Sequence, residues 1–174
     1  MKQEVIIQPI TIHDLETLQQ LSRQTFFETF AHQNTEANMT HYLETAFSLE
    51  KLSEELLEPD AAFFFSLWND EPVGYLKIIL NKHPDGHRDP RYMEIERIYV
   101  RSTFHGKGVA GILFEKALSI ARNNLIGYVW LGVWEHNPRA IAFYSKYGFS
   151  AFGKHDFFLG EDRQTDILMG VSLN

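Results

Sequence analysis

The sequence predicts a mixed α/β fold with a single sheet, and three observations support this prediction. Apolar residues recur at helical spacing in the first third of the chain. After Pro59 they alternate at the spacing of strands. Two later segments, 108–123 and 138–147, return to helical spacing. The predicted order is therefore helices first, then a sheet interrupted by two helices.

The first third of the chain is expected to form one short strand and several helices. Val5, Ile7 and Pro9, at two-residue spacing, suggest a short first strand. Leucines at three-residue spacing and a following group of phenylalanines predict a helix that packs on the core. Pro59 is expected to end the helical region. The predicted helices cover 13–23 with a continuation through Phe30, 34–47 and 49–57.

The rest of the chain is expected to supply most of the sheet. Asn69-Asp70-Glu71 predicts a turn between the first two of these strands, and 81–91 is expected to be a polar loop. Strict alternation in 92–100 would place Met93, Ile95, Arg97 and Tyr99 on one face, opposite Glu94, Glu96, Ile98 and Val100. The predicted strands are 61–68, 72–80, 92–100, 128–134, 149–158 and 165–172.

The composition is that of an ordinary globular protein, and we expect one domain over 1–174. The chain is 44% hydrophobic and 22% charged, with a net charge of −7. An acidic surface counts against nucleic acid as a partner and is compatible with a cationic small molecule. The absence of cysteine excludes disulfides and fits the cytoplasm. Since no apolar run approaches about 20 residues, no membrane span is expected.

A glycine-containing loop before a helix is the first functional signal. His105-Gly106-Lys107-Gly108 follows the strand 92–100 and leads into the helix 108–123. Glycines allow a bulky ligand to approach the backbone, and the N–H groups at a helix N-terminus favour phosphate. By itself the pattern is weak, because a two-glycine turn is more often only a turn. It lacks the residues of a Walker loop and the third glycine of a dinucleotide fingerprint.

A second motif follows the strand 128–134. Asn137-Pro138 suits the start of a helix, with asparagine as the N-cap and proline in the first turn. Ala140, Phe143-Tyr144 and Gly148-Phe149 complete the motif. Phe143 and Phe149 are expected in the core. Tyr144 is either packed with its hydroxyl at the edge or functional.

Together, Glu96-Arg97-Ile98-Tyr99-Val100, the glycine loop and the motif from Asn137 to Phe149 resemble the GNAT superfamily of N-acetyltransferases. The resemblance implies a twisted, mostly antiparallel sheet of about seven strands, splayed at 92–100 and 128–134. It also implies acetyl-CoA as co-substrate and no metal. His105 departs from the Gln or Arg that is usual there. The cofactor-binding residues it implies are Ile98, Tyr99, Val100, His105, Gly106, Lys107, Gly108, Val109, Ala110, Gly111, Asn137 and Tyr144.

The same resemblance suggests how the reaction is catalysed. An alkyl amine with a pKa near ~10.4 is almost entirely protonated at pH 7, so a base must remove its proton. Glu96 is the candidate, and Glu94, two residues away, is the substitute. Tyr144 is the candidate acid that protonates the departing thiolate. Backbone N–H groups of the strand segment 98–100 are expected to stabilise the developing oxyanion.

The acceptor amine is less well determined. Gln19-Gln20-Leu21-Ser22, 130–135 and Gln164-Thr165-Asp166 resemble the polyamine acetyltransferases of this superfamily, which implies spermidine or spermine. The alternatives are a protein N-terminus, a lysine, an aminoglycoside or a non-catalytic acyl-CoA sensor. A homodimer is possible by analogy. The acidic residues expected near the acceptor are Glu28, Glu36, Asp156 and Glu161, and neither His83 nor His87 is assigned to a metal.

Overall fold

The structure, a computed structural model, describes residues 4–174. Within this range the chain forms seven strands and five α-helices. No helix in the described part of the chain is long and apolar enough to cross a membrane. The strands are β1 (Val5–Pro9), β2 (Ala61–Trp68), β3 (Glu71–Lys82), β4 (Arg88–Val100), β5 (Tyr128–Trp134), β6 (Ser150–Leu159) and β7 (Asp162–Ser172). The helices are α1 (Leu15–Phe30), α2 (Glu36–Ala46), α3 (Leu49–Leu56), α4 (Val109–Asn123) and α5 (Pro138–Lys146).

The strands form one seven-stranded sheet in the order β1-β2-β3-β4-β5-β7-β6. Every neighbouring pair is antiparallel except β4 and β5, which are parallel. A parallel pair needs a crossover, and α4 provides it. This arrangement confirms the mixed α/β fold and the mostly antiparallel sheet predicted from the sequence.

Two apolar cores lie on opposite faces of the sheet. The first core packs α4 and α5 against the sheet through residues such as Leu113, Phe114 and Tyr144. The second packs α1, α2 and α3 against the other face through residues such as Leu18 and Phe47. The sheet therefore separates the helices of the first half of the chain from those of the second half.

Local sequence signals account for several element boundaries. The side chains of Thr35, Ser48 and Asn137 each accept a hydrogen bond from a backbone N–H of the helix that follows. Asn69 and Asp70 both have positive φ angles, 50° and 64°, which is the geometry of a tight hairpin turn. The Asn137 cap and the Asn69-Asp70 turn lie where the sequence predicts them, whereas the caps at Thr35 and Ser48 were not predicted.

The segment 81–91 is not the polar loop expected from the sequence. β3 continues to Lys82 and β4 begins at Arg88, so the connection is the short hairpin 83–87. Lys82 pairs with Arg88 across it. Polar side chains are accommodated here because this end of the hairpin projects from the sheet, where strand residues need no apolar cover.

The expected alternation of β4 is also wrong beyond Ile95. Lys77 pairs with Arg97 and its neighbour Ile78 pairs with Ile95, so Glu96 is an extra residue in the ladder. This β-bulge reverses the faces of the residues that follow it. Ile98 and Val100 therefore join Met93 and Ile95 in the first core, whereas Arg97 and Tyr99 lie on the opposite face.

Replacing a core leucine of α4 tests the packing of the first core. Leu113 is fully buried, and Leu113→Ala should lower the free energy of unfolding by about 2–5 kcal/mol. Ile112, next to it, is 38% exposed, and Ile112→Ala should change that free energy by no more than about 0.5 kcal/mol. Urea denaturation of both variants measures the difference. Equal losses would mean that α4 does not pack by this face.

Candidate active site

A cavity opens where β4 and β5 separate. The two strands pair at only three positions, which end at Glu94 opposite Trp130. Beyond this point a cavity of about 370 Å³ lies between them. Residues 95–100 line it from β4, and Gly132, Val133 and Trp134 line it from β5. The unpaired edge of β4 leaves backbone groups available to a bound molecule.

The glycine loop lies beside this cavity at the start of α4. Gly106 and Gly108 have φ angles of 77° and 82°, which glycine adopts without strain. Among the described residues, no atom lies within 4 Å of the point where a Cβ would project from either glycine. The first N–H groups of α4, those of Val109, Ala110 and Gly111, have no partners within the helix. The loop therefore offers open space and several donors to an anion.

His105 connects this loop to α5. Its Nε2 lies 2.8 Å from the Val100 carbonyl oxygen, and its Nδ1 lies 2.8 Å from a guanidinium nitrogen of Arg139. A carbonyl can only accept, so Nε2 carries the proton and Nδ1 accepts from Arg139. The ring therefore links the end of β4 to α5 through a contact on each of its nitrogens.

Lys107 points its ammonium group at aromatic rings. Its Nζ lies 4.7 Å from the centroid of Phe104 and 5.5 Å from that of Trp68. Both contacts are within the range of cation–π interactions. Neither Lys107 nor these two aromatic residues line the first cavity.

Asn137 and Tyr144 bring α5 to the cavity. The Asn137 side-chain oxygen accepts from the Ala140 N–H at 3.1 Å, which caps the helix. Tyr144, two turns further along, packs its ring near Phe114 and Phe149 in the first core. Burial raises the pKa of the Tyr144 phenol well above its usual value. The hydroxyl is therefore protonated throughout the neutral range.

Glu96, the extra residue of the bulge, lies across the cavity from α5. Its Oε2 forms an ion pair with Lys77, and its Oε1 lies 4.0 Å from Lys82 Nζ. Glu94 Oε2 lies 2.5 Å from the same ammonium group. Burial raises the pKa of Glu94, and Lys82 offsets this only in part. Two carboxylates thus lie close to two ammonium groups at the edge of the cavity.

A buried group of charges supports this arrangement from α3. Glu55 accepts two hydrogen bonds from Arg97, at 2.7 and 3.1 Å, and one from Lys77 at 2.9 Å. Burial works against the Glu55 charge, yet Arg97 and Lys77 lower its pKa below the usual value. Lys77 is 2% exposed and lies between Glu55 and Glu96. Breaking one such pair leaves a buried charge without compensation.

A second cavity, of about 330 Å³, adjoins the first. Its walls are largely aromatic, and three carboxylates, Glu94, Glu96 and Asp166, line it together with His155 and Arg97. Six residues line both cavities: Phe30, Glu96, Arg97, Tyr99, Gly132 and Trp134. The two cavities therefore lie side by side and share part of their walls.

The predicted site residues lie around the first cavity. Glu96 lines both cavities, and Glu94 lines the second one. Of the predicted cofactor-binding residues, those that line the first cavity are Ile98, Tyr99, Val100, His105, Ala110, Asn137 and Tyr144. Those that form the adjoining loop and first turn of α4 are Gly106, Lys107, Gly108, Val109 and Gly111. The Val109 side chain is buried in the first core, so only its backbone faces a ligand.

The acidic residues expected near the acceptor lie elsewhere. Glu28 accepts a hydrogen bond from the Ser102 N–H, and Asp156 pairs with Arg163 at the surface. Glu36 and Glu161 are exposed. Sequence reasoning missed Arg139 and Asp166 as lining residues. The available signal for Asp166 was the segment Gln164-Thr165-Asp166, which resembles the polyamine acetyltransferases but was not assigned to the site.

Comparison with known proteins places this geometry in a family. The acetyltransferase (GNAT) family model matches residues 15–149. An uncharacterized N-acetyltransferase from the pepI 3′ region of Lactobacillus delbrueckii subsp. lactis is 38% identical over 169 residues, 97% of this chain and 98% of that protein. A spermidine N(1)-acetyltransferase of Thermoplasma acidophilum is 28% identical over 149 residues, 82% of this chain and 86% of that protein.

Solved structures share the fold. The PaiA N-acetyltransferase of Thermoplasma acidophilum, solved in complex with coenzyme A, superimposes with a TM-score of 0.80 at 21% identity. The match covers 97% of this chain and 99% of that one. The family model, the relative of 38% identity and the shared fold confirm the resemblance seen in the motifs: the chain belongs to the GNAT family of acetyltransferases and is an N-acetyltransferase.

Proposed function

We propose that this protein transfers an acetyl group from acetyl-CoA to an amino group of a small polyamine. One observation carries the proposal. The separation of β4 from β5 places the glycine loop, Tyr144 and Glu96 around one cavity that adjoins a second, acidic and aromatic cavity. A donor and an acceptor that enter from opposite ends would meet between Tyr144 and Glu96.

The residues around the first cavity fit coenzyme A. The open space at Gly106 and Gly108 and the N–H groups that begin α4 suit a pyrophosphate. The free edge of β4 at residues 98–100 suits an amide-bearing chain that pairs with it as an added strand. Acetyl-CoA supplies the acetyl group as a thioester. The residues around the cavity bind and orient it, and Glu96 and Tyr144 are proposed to transfer the protons.

Glu96 is proposed to take the proton of the acceptor amine. Its Oε2 is held by Lys77, while Oε1 lies near the cavity, 4.0 Å from Lys82 Nζ. A carboxylate held on one side has its other oxygen available for a cationic amine. Glu94 is the alternative base. Burial raises its pKa towards neutral pH, where a general base is most effective.

Tyr144 is proposed to donate its proton to the leaving sulfur. Burial keeps the phenol protonated, so the proton is present when a thiolate develops. A thiol with a pKa of about 8.5 holds its proton less strongly than this phenol. Tyr144 therefore acts chiefly by donating a hydrogen bond to the sulfur as charge develops; when the proton passes to the thiolate, solvent returns one to the phenolate, and Glu96 releases the amine proton to solvent.

The polyamine assignment rests on the second cavity and on one relative. Carboxylates from β4 and β7 favour cationic groups, and aromatic walls favour the methylene segments between them. The spermidine N(1)-acetyltransferase of Thermoplasma acidophilum is similar over most of both chains. The presence of both Glu96 and Tyr144 at the cavity favours an enzyme over a sensor that only binds acyl-CoA.

Adding a charge at the glycine loop should prevent coenzyme binding. Gly108→Glu places a carboxylate where the pyrophosphate is proposed to lie, and calorimetry should show at least about a hundredfold weaker binding of coenzyme A. Gly86→Glu is the control, because Gly86 also has a positive φ angle and open space but lies in the β3–β4 hairpin. Wild-type affinity in the Gly108 variant would place the pyrophosphate elsewhere.

Removing the Tyr144 hydroxyl should slow turnover. Tyr144→Phe should lower kcat about 10²-fold and leave the affinity for acetyl-CoA within about twofold, since only the proton donor is lost. Tyr128→Phe, on β5 outside both cavities, should behave as wild type. Steady-state kinetics of thiol release measure both. An unchanged kcat in the Tyr144 variant would remove this residue from the mechanism.

Neutralising Glu96 should identify the base. Glu96→Gln should lower kcat/KM by about 10²-fold, because an amide cannot take the amine proton. Glu94→Gln should lower it less than about threefold. Steady-state kinetics of thiol release with one amine decide between the two carboxylates. If only the Glu94 variant loses activity, the base is Glu94.

A further inference from the structure

The three carboxylates of the second cavity differ in how their charges are balanced. Glu94 lies beside the ammonium of Lys82, and Glu96 pairs with Lys77. Arg97 also lines this cavity, but its guanidinium is already paired with Glu55. Within residues 4–174, the ionic partner of Asp166 is an imidazole, that of His155, at 3.3 Å. Imidazole carries a charge only when it is protonated. Among the described residues, Asp166 is therefore the one of these three carboxylates that is not paired with a lysine or arginine side chain.

Asp166 is also in an unfavourable position for a carboxylate without a permanent cation. It lies on β7 between Trp134 of β5 and His155 of β6, and its side chain is 16% exposed. Burial raises its pKa, and His155 offsets this only in part. A partly buried carboxylate of this kind gains from a cation that enters the cavity.

Gly132 gives Asp166 access to the region shared by the two cavities. Gly132 lines both cavities, and the Asp166 carboxylate and the His155 ring lie over it. A Cβ at this position would approach Asp166 Oδ2 to 3.3 Å and the His155 ring to 3.2 Å. Because position 132 has no side chain, the carboxylate faces this shared region.

The walls between Glu96 and Asp166 suit an aliphatic chain. Phe26, Phe47 and Phe157 contribute apolar rings, and Tyr42 stacks on Phe26 with 4.4 Å between ring centroids. Burial raises the pKa of Tyr42 to about 12, and the charges of Glu96 and Asp166 add to this effect. Tyr42 therefore lies within electrostatic reach of both carboxylates, and all three residues line the second cavity.

We propose that Asp166 binds a second ammonium group of the acceptor while the amine to be acetylated lies at Glu96. Asp166 is then the residue that selects diamines and polyamines over monoamines. This inference rests on the proposed function. It goes further by naming the side chain that recognises the end of the acceptor which does not react.

A series of amines of increasing length tests this selection. Acetyl transfer is measured for n-alkylamines, for α,ω-diaminoalkanes with three to eight methylene groups and for spermidine. Asp166→Asn should lower kcat/KM for the preferred diamine about tenfold or more and change that for the matching monoamine less than about twofold. Asp156→Asn is the control, because Asp156 is on the adjacent strand, pairs with Arg163 and lines neither cavity.

A second variant gives an independent reading. Asp166→Glu keeps the charge and extends it by one methylene, so the preferred diamine should become shorter by about one methylene. Equal losses for monoamine and diamine in the Asn variant, or an unshifted length preference in the Glu variant, would overturn the proposal. If the wild-type protein acetylates monoamines and diamines equally well, the proposal fails and the proposed transferase activity stands. If it acetylates no amine at all, the proposed function itself fails.

Discussion

One extra residue in β4 determines how the site is built. Glu96 has no partner in the β3–β4 ladder, and the bulge it forms lies two residues beyond the last pair that joins β4 to β5. The increased local twist of a bulge is compatible with the separation of the two strands. The same bulge moves Arg97 to the face where Glu55 lies. The charge pairs around Glu96 thus depend on this irregularity, and the cavity opens beside it.

The charges that surround the bulge are arranged to avoid an isolated ion. Lys77 and Glu55 are both buried, and each contacts more than one group of opposite charge. Since such pairs roughly offset their own desolvation, their chief effect is on geometry rather than on net stability. They join α3 to β3 and β4 at the base of the second cavity. The position of the Glu96 carboxylate is therefore coupled to that of a helix from the first part of the chain.

Features with local causes could be predicted from the sequence, and features that depend on tertiary contacts could not. The Asn137 cap, the Asn69-Asp70 turn and the glycine loop follow from the conformational preferences of those residues. The faces of Arg97 and Ile98 were predicted wrongly, because the period-2 pattern gives no sign of a bulge. Asp166 was not assigned to the site for a related reason: its neighbours Gly132 and His155 are brought to it only by the pairing of three strands.

The two cores on opposite faces of the sheet carry different tasks. Residues near the glycine loop and Tyr144 belong to the first core, whereas most of the second cavity is built from residues of the second. Substitutions that are far apart and share no partners are close to additive in their effects on stability. With the acceptor in the second cavity, as proposed, substitutions in α1, α2 or β6 would change the acceptor site with little effect on the stability of the core beside the glycine loop. In this architecture, specificity for the acceptor could diverge without changes in the residues proposed to bind acetyl-CoA.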